Sequence, residues 1–206
     1  VNDRPSPFPT ADDRARSRAA KRMALLEAAV TMFNERGFHA TSLDDVAASL
    51  GVSKPTIYHY LGNKDQVLIE CLKIGVDDLM LADEEARTVK GDGADRLTYF
   101  LQAFGETILR PFSRCVVRTG EECLSKTSAE ELRAMKLRVH HAMCALIREG
   151  MADGSIACAD PNVLAFTLAG ALNWPARWYD PAHGASPSET VAQIVAHLRE
   201  GYRPRA

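Results

Sequence analysis

The sequence predicts an all-α protein, on three observations. Apolar residues recur at three- and four-residue intervals along most of the 206 residues, Ser, Thr or Asn stands ahead of several of those stripes with Gly behind, and no run keeps the strict alternation of a half-buried strand. No segment repeats and none is of low complexity. We expect about nine helices: a polar, disordered arm over 1–13, a three-helix domain over 14–64, and a larger helical domain over 65–206.

Leu25, Leu26, Ala29, Val30 and Phe33 define the first helix, which is expected to start between Arg14 and Lys21 and to stop at Gly37, where glycine can take the left-handed C-terminal conformation. Thr41 and Ser42 are the cap candidates for a short second helix that carries Leu43, Val46, Ala47 and Leu50 and closes at Gly51. Ser53 opens a third brief helix, Lys54 to Leu61, with Pro55 in the first turn, where a missing N–H costs no helical bond. Asn63 and Gln66 have capping-box spacing for a fourth, whose apolar face is Leu68, Leu72, Val76 and Leu79. Beyond a polar break from Lys90 to Ala94, helical patterns cover 94–110, 112–125, 128–152 (with Ser128 and Glu131 as cap and box partner), 160–179 and 187–203.

A hydrophobic content of 46% suffices for a real core, and the net charge of -2 advertises no polyanion partner for the chain as a whole. The charge is unevenly placed, however. Residues 1–64 carry nine Lys/Arg against seven Asp/Glu, and five of the cations (Arg14, Arg16, Arg18, Lys21, Arg22) fall together with no acid between them. Positive potential is thus confined to one end, as a nucleic-acid reader or a merely solvated basic segment would have it. The five cysteines are an odd number, widely spaced and without a Cys-x-x-Cys, which suits a reducing cytoplasm, and the polar N-terminal stretch reads as neither a signal peptide nor a membrane span.

Two short helices joined across Gly51-Val52-Ser53 are what a helix-turn-helix needs, because glycine lets the chain turn sharply while the second helix is held out to enter the major groove. At 100° per residue Ile57 and Leu61 share one face, the core anchor, and this puts Pro55 and His59 on the opposite side, flanked by Thr56 and Tyr58. Lys54 and Tyr60 lie at the sides, within reach of phosphates. Such a surface offers donors, acceptors and a cation but no carboxylate, as close approach to a polyanion demands. The two tyrosines are also compatible with amphipathic packing and a wet hydroxyl.

Gly37-Phe38-His39-Ala40-Thr41-Ser42, then Val46-Ala47, then the run from Gly51 to Asp65 (GVSKPTIYHYLGNKD) together resemble the DNA-binding signature of the TetR family, over roughly residues 20–70. The resemblance implies that Thr41 or Ser42, Tyr58, Tyr60 and Lys64 hold phosphates, and that Ser53, Lys54, Pro55, Thr56 and His59 face or border the bases of a double-stranded operator. Backbone amides at the start of the fourth helix would add to the phosphate grip. Pro55 stands where the family often has Gly and Leu61 where an aromatic is common, so the operator sequence is not predictable.

In the second domain, Asn162 to Trp178 is apolar almost all round, and Val191, Ile194, Val195, Leu198 and Tyr202 make a stripe on the last helix. The resemblance implies that the last two long helices pair with their mates in a homodimer. Trp174 and Trp178 share one helical face, with Pro175 between them removing the bond to the carbonyl of Ala171 and kinking the helix. These aromatics either wall a cavity or fill the core. The Trp-x-x-x-Trp-Tyr pattern is similar to TetR-family regulators that respond to acyl-CoA thioesters, which implies a pocket lined by Phe100, Phe104, Met143, Phe166, Trp174 and Trp178 with Arg177 as a polar anchor for a small hydrophobic effector.

No Ser-His-Asp, Gly-rich phosphate loop or paired-carboxylate arrangement supports catalysis, and no cofactor motif is present. His140 and Cys144 have ligand spacing on a helix but no third ligand, so a metal is not expected. The expectation is a ligand-responsive transcriptional repressor. Its rivals are an effector-independent DNA-binding protein of chromosome organisation or cell division, favoured by many scattered sites, and an all-α enzyme, favoured by turnover without DNA affinity.

Overall fold

Thr10 opens the first helix: its hydroxyl accepts from the amide of Asp13 while the Asp13 carboxylate accepts from the amide of Thr10, a reciprocal capping box. The computed structural model describes residues 10–182 and 184–202, and of Tyr202 only the backbone. Helix α1 therefore runs Ala11–Arg36, longer than the apolar stripe alone suggests, and residues 10–13 belong to it rather than to a disordered arm. Residues 1–9 of that expected arm lie outside the described residues. At the far end Gly37 has φ 94° and ψ 147°, a positive φ as expected but with extended ψ instead of the left-handed helical value.

Among the described residues the elements are all helices: α2 Leu43–Ser49, α3 Lys54–Leu61, α4 Lys64–Ala86, α5 Gly93–Leu109, α6 Pro111–Thr119, α7 Lys126–Ala152, α8 Pro161–Asn173, α9 Pro175–Trp178 and α10 Pro187–Tyr202. The four-residue α9 is the kinked continuation of α8, so the expected single helix over 160–179 is broken where Pro175 supplies no N–H. Helix α7 starts one turn earlier than Ser128, because Ser125 is the cap and accepts from the Ser128 amide. The chain divides into two units between Val67 and Leu68, within α4.

The first unit is built on α1, α2 and α3. Leu26, Ala29 and Val30 of α1, Val46 and Ala47 of α2, and Ile57 of α3 are at most 1% exposed. Gly51, at φ 64°, turns the chain between α2 and α3 in a conformation that a side chain disfavours, and Ser53 then caps α3. Asn63 Oδ1 accepts from the Gln66 amide to start α4, as the capping-box spacing requires.

In the second unit α5 is the central helix and packs against α6, α7, α8, α9 and α10. Leu97, Phe100 and Leu101 are fully buried in a core shared with Met143, Leu146 and Ile147 of α7 and Leu168 and Leu172 of α8. Burying a side chain such as Phe100 contributes about 2–3 kcal/mol. Backbone approach is close where α5 meets α7: a Cβ at Gly93 would stand 2.3 Å from the Gly150 Cα, so only glycine fits. At the α6–α9 contact the Arg114 guanidinium donates to the carbonyls of Ala176 at 2.9 Å and Tyr179 at 2.7 Å, satisfying backbone acceptors at the end of α9. No helix among the described residues is long and apolar enough to cross a membrane.

Candidate nucleic-acid interface

The recognition-helix geometry follows from burial. Ile57 is 0% and Leu61 3% exposed, so both anchor α3 on the first unit's core, while Lys54, Pro55, Tyr58 and His59 are exposed and Thr56 and Tyr60 half-buried. Tyr58, 47% exposed, projects a phenol from a helix whose opposite face is sealed. The turn that presents α3 is itself held by hydrogen bonds: the hydroxyls of Ser53 and Thr56 lie 2.8 Å apart, and Ser53 Oγ accepts from the Thr56 amide at 3.4 Å. Ser53 thus shapes the start of the reading helix as its cap.

Lys54 lies to the side of α3, as expected, where its ammonium pairs with Asp44 of α2 at 2.7 Å. The Asp44 carboxylate beside it pushes the lysine's pKa up and keeps it cationic. Carboxylates are absent from α3 but not from its surroundings, and this one was not part of the sequence expectation. His59 stands edge-on to Tyr60, ring centroids 5.2 Å apart, and its Nε2 lies 3.4 Å from the Arg18 guanidinium of α1.

Two expected phosphate ligands are turned inward. Thr41 is 1% exposed and its hydroxyl donates to the carbonyl of Gly37 at 3.0 Å, so it closes the α1–α2 turn and Ser42 alone caps α2, in a capping box with Asp45. Hydrogen bonds from the Ser42 hydroxyl and amide hold the Asp45 carboxyl below its ordinary pKa. Lys64 donates its ammonium to the carbonyl of Phe38 and lies 4.1 Å from the centroid of the Phe38 ring. A cation over an aromatic face, with a carbonyl to accept its hydrogen bond, ties the start of α4 to the α1–α2 turn instead of reaching outward.

The expected effector pocket does not assemble as drawn. Phe100, Phe104 and Met143 are buried in the second unit's core, whereas Phe166, Trp174 and Trp178 are 65%, 63% and 52% exposed and Arg177 is exposed as well. Spacing put Trp174 and Trp178 on one face; packing turned that face outward, as it did Phe166, so the segment Asn162 to Trp178 is covered on one side only. The Phe166 ring stacks on His140 at 4.4 Å, and the Arg177 guanidinium approaches the carbonyl of Val117 at 3.5 Å. Cys144 is buried, with Sγ 3.4 Å from His140 Nε2, and no cluster of three His, Cys, Asp or Glu among the described residues could hold a metal ion.

Residues 25–71 match the model of the bacterial regulatory proteins of the tetR family, and residues 90–202 match the tetracyclin repressor-like C-terminal domain. The HTH-type transcriptional repressor KstR2 of Mycolicibacterium smegmatis is 27% identical over 194 residues, 93% of this chain and 95% of that protein. The KstR2 structure from Mycobacterium tuberculosis superposes with a TM-score of 0.79 at 21% identity, covering 90% of this chain and 96% of that one. AibR, solved with isovaleryl coenzyme A and operator DNA, superposes with a TM-score of 0.74 at 21% identity, covering 90% and 99%. With both of its units matched, one by the reader domain and the other, over more than half the chain, by the regulatory domain, the chain belongs to the TetR family of DNA-binding transcriptional regulators.

Proposed function

We propose that the chain is a repressor that binds a palindromic operator as a homodimer and is released by a small acyl effector. The observation that carries the DNA half is the α3 surface opposite Ile57 and Leu61, where Pro55, Tyr58 and His59 are exposed with Lys54 and Thr56 at the sides. Thr56, His59 and the Pro55 ring can meet base edges, the last against a thymine methyl, while Ser42, Tyr58, Tyr60 and Lys54 serve phosphates. Lys54 exchanges Asp44 for a phosphate on binding.

The homodimer half rests on the outward face of α8 and α9. Val163, Phe166, Trp174 and Trp178 make an apolar band that costs hydration free energy until something covers it. Beside it in the second unit, α10 keeps Val191 and Val195 inside and exposes Ala192 and Ala196, small enough for a partner helix to approach closely. An isologous four-helix contact of α8 and α10 with their mates would make the protein two-fold symmetric, and a two-fold reader recognises an inverted repeat with half-sites about 34 Å, one turn of DNA, apart.

The effector half has narrower support, the likeness to AibR, which was solved with isovaleryl coenzyme A and operator DNA. An inducer that prefers a different spacing of the two readers shifts the population away from the operator-competent form. Two measurements test these halves. Sequencing genomic fragments retained by the pure protein at low ionic strength should return a common inverted repeat, and fragments without one would end the operator reading. Isovaleryl-CoA should release bound operator where isovaleric acid does not; release by neither would remove the effector and leave the DNA reading in place.

A further inference from the structure

We propose that the first three turns of α1 form a second DNA-binding surface, in which Arg14, Arg18 and Lys21 clamp the sugar-phosphate backbone beside the groove that α3 enters. The inference rests on the operator reading above. It starts from an oddity of α1, a 26-residue helix whose residues 11–21 are all exposed, though the unit's core requires the helix only from Leu25 onward. A helix extended into water without burying apolar area gains little from packing, so its surface is where to look for a partner.

That surface is ordered. At 100° per residue Arg14, Ser17, Arg18 and Lys21 fall within an arc of about 100°, and Leu25 continues the same stripe into the core. The stripe that packs the domain thus turns from apolar to basic as it leaves it. Across from it stands the end of α3: Arg14, Ser17, Arg18 and Lys21 share an open cleft of about 570 Å³ with Asp13, His59 and Tyr60. Asp13, the cleft's one carboxylate, is already engaged by Thr10 and by Arg16 at 2.8 Å, and these hydrogen bonds hold it ionised. The cations left facing the cleft are contiguous with two of the outward residues of the reading helix.

The Arg18 contact gives the cleft its register. A guanidinium only donates, so in this contact His59 Nε2, 3.4 Å away, is the acceptor. A phosphate oxygen in the cleft accepts from Arg18 and from the Tyr60 hydroxyl and frees His59 Nε2 for a donor on DNA. The three cations are four and three residues apart, about 6 and 4.5 Å at 1.5 Å per residue, so together they span a length that successive phosphates of one strand cover and a single small anion does not. The occupant is therefore the backbone of the duplex that α3 reads.

The test compares the full-length wild type with an Arg14→Gln/Arg18→Gln/Lys21→Gln variant by titrating one operator-containing duplex at several salt concentrations. The logarithmic salt slope of the variant should fall by about 0.9 for every phosphate let go, roughly 2–3 units for each protomer, with the preference for one sequence over another unchanged. Arg16→Gln, which lies on the opposite side of α1 and is paired with Asp13, should leave the slope alone. The substituted side chains are all exposed, so matched thermal unfolding and circular dichroism establish that the variant folds. A wild-type slope in a folded triple variant overturns the inference while the operator reading stands, and a wild type that ignores DNA at low salt overturns both.

Discussion

The two units expose opposite kinds of surface, and the difference suits them to different partners. The first seals Ile57 and Leu61 and exposes Lys54, Pro55, Tyr58 and His59, a face that loses little in water and suits a polyanion. The second seals Phe100, Phe104 and Met143 and exposes Phe166, Trp174 and Trp178, a face that water disfavours and another apolar surface would cover. Equal helical periodicity thus yields two unlike faces, and the chemistry on the uncovered side is what distinguishes them.

The sharpest way to break this contrast is Trp174→Glu/Trp178→Glu. If that face is the homodimer contact, sedimentation should show self-association weakened by about 100-fold or more, since buried aromatic anchors commonly contribute 2 kcal/mol or more each, with the helix content unchanged. Tyr58→Ala comes next. It should weaken binding to every duplex by roughly tenfold in a mobility-shift titration without altering thermal stability, because the phenol is exposed and the partner proposed for it is a phosphate. An unaltered affinity would take Tyr58 out of the interface.

Smaller effects separate outward cations from inward ones. Lys64→Met removes the ammonium from the Phe38 ring and carbonyl, so it should lower stability by about 1 kcal/mol in denaturant unfolding and leave the salt slope of DNA binding unchanged. A reduced slope would return Lys64 to the phosphates. The smallest effect concerns the second unit's sealed side. Burial pushes the Cys115 thiol up to about 11, and raises that of Cys71 further in the same direction. Because the unfolded thiol ionises first, stability contributed by burial is complete below about pH 9 and declines as pH rises through 11. Native protein at pH 8 should therefore resist alkylation at Cys71 and Cys115, while the half-buried Cys123 and Cys158 label first.

Much of the reader was legible because its signals are local. The stripe through Leu25 to Phe33, the Ser53 cap, Pro55 in the first turn and the Asn63–Gln66 box each act over a few residues, and the structure has α1, α3 and α4 where those signals put them, apart from the start of α1. That start was readable too, since Thr10 and Asp13 have capping-box spacing. The inward turn of Thr41 and Lys64 was not. A hydroxyl or an ammonium carries no mark of its partner, and Phe38 lies 26 residues from Lys64. The basic run from Arg14 to Arg22 was visible, but its alignment with His59 depends on a contact 41 residues apart in sequence.

What the sequence determined alone is the helical period and its punctuation: which residues share a face, where each helix can begin, and that Ile57 and Leu61 must lie together. Tertiary packing decided which face of α8 and α9 looks inward, and so divided Phe100, Phe104 and Met143 from Phe166, Trp174 and Trp178. The reason is physical. A helix's own hydrogen bonds are made within four residues, whereas the side it buries is chosen by neighbours brought from elsewhere in the chain.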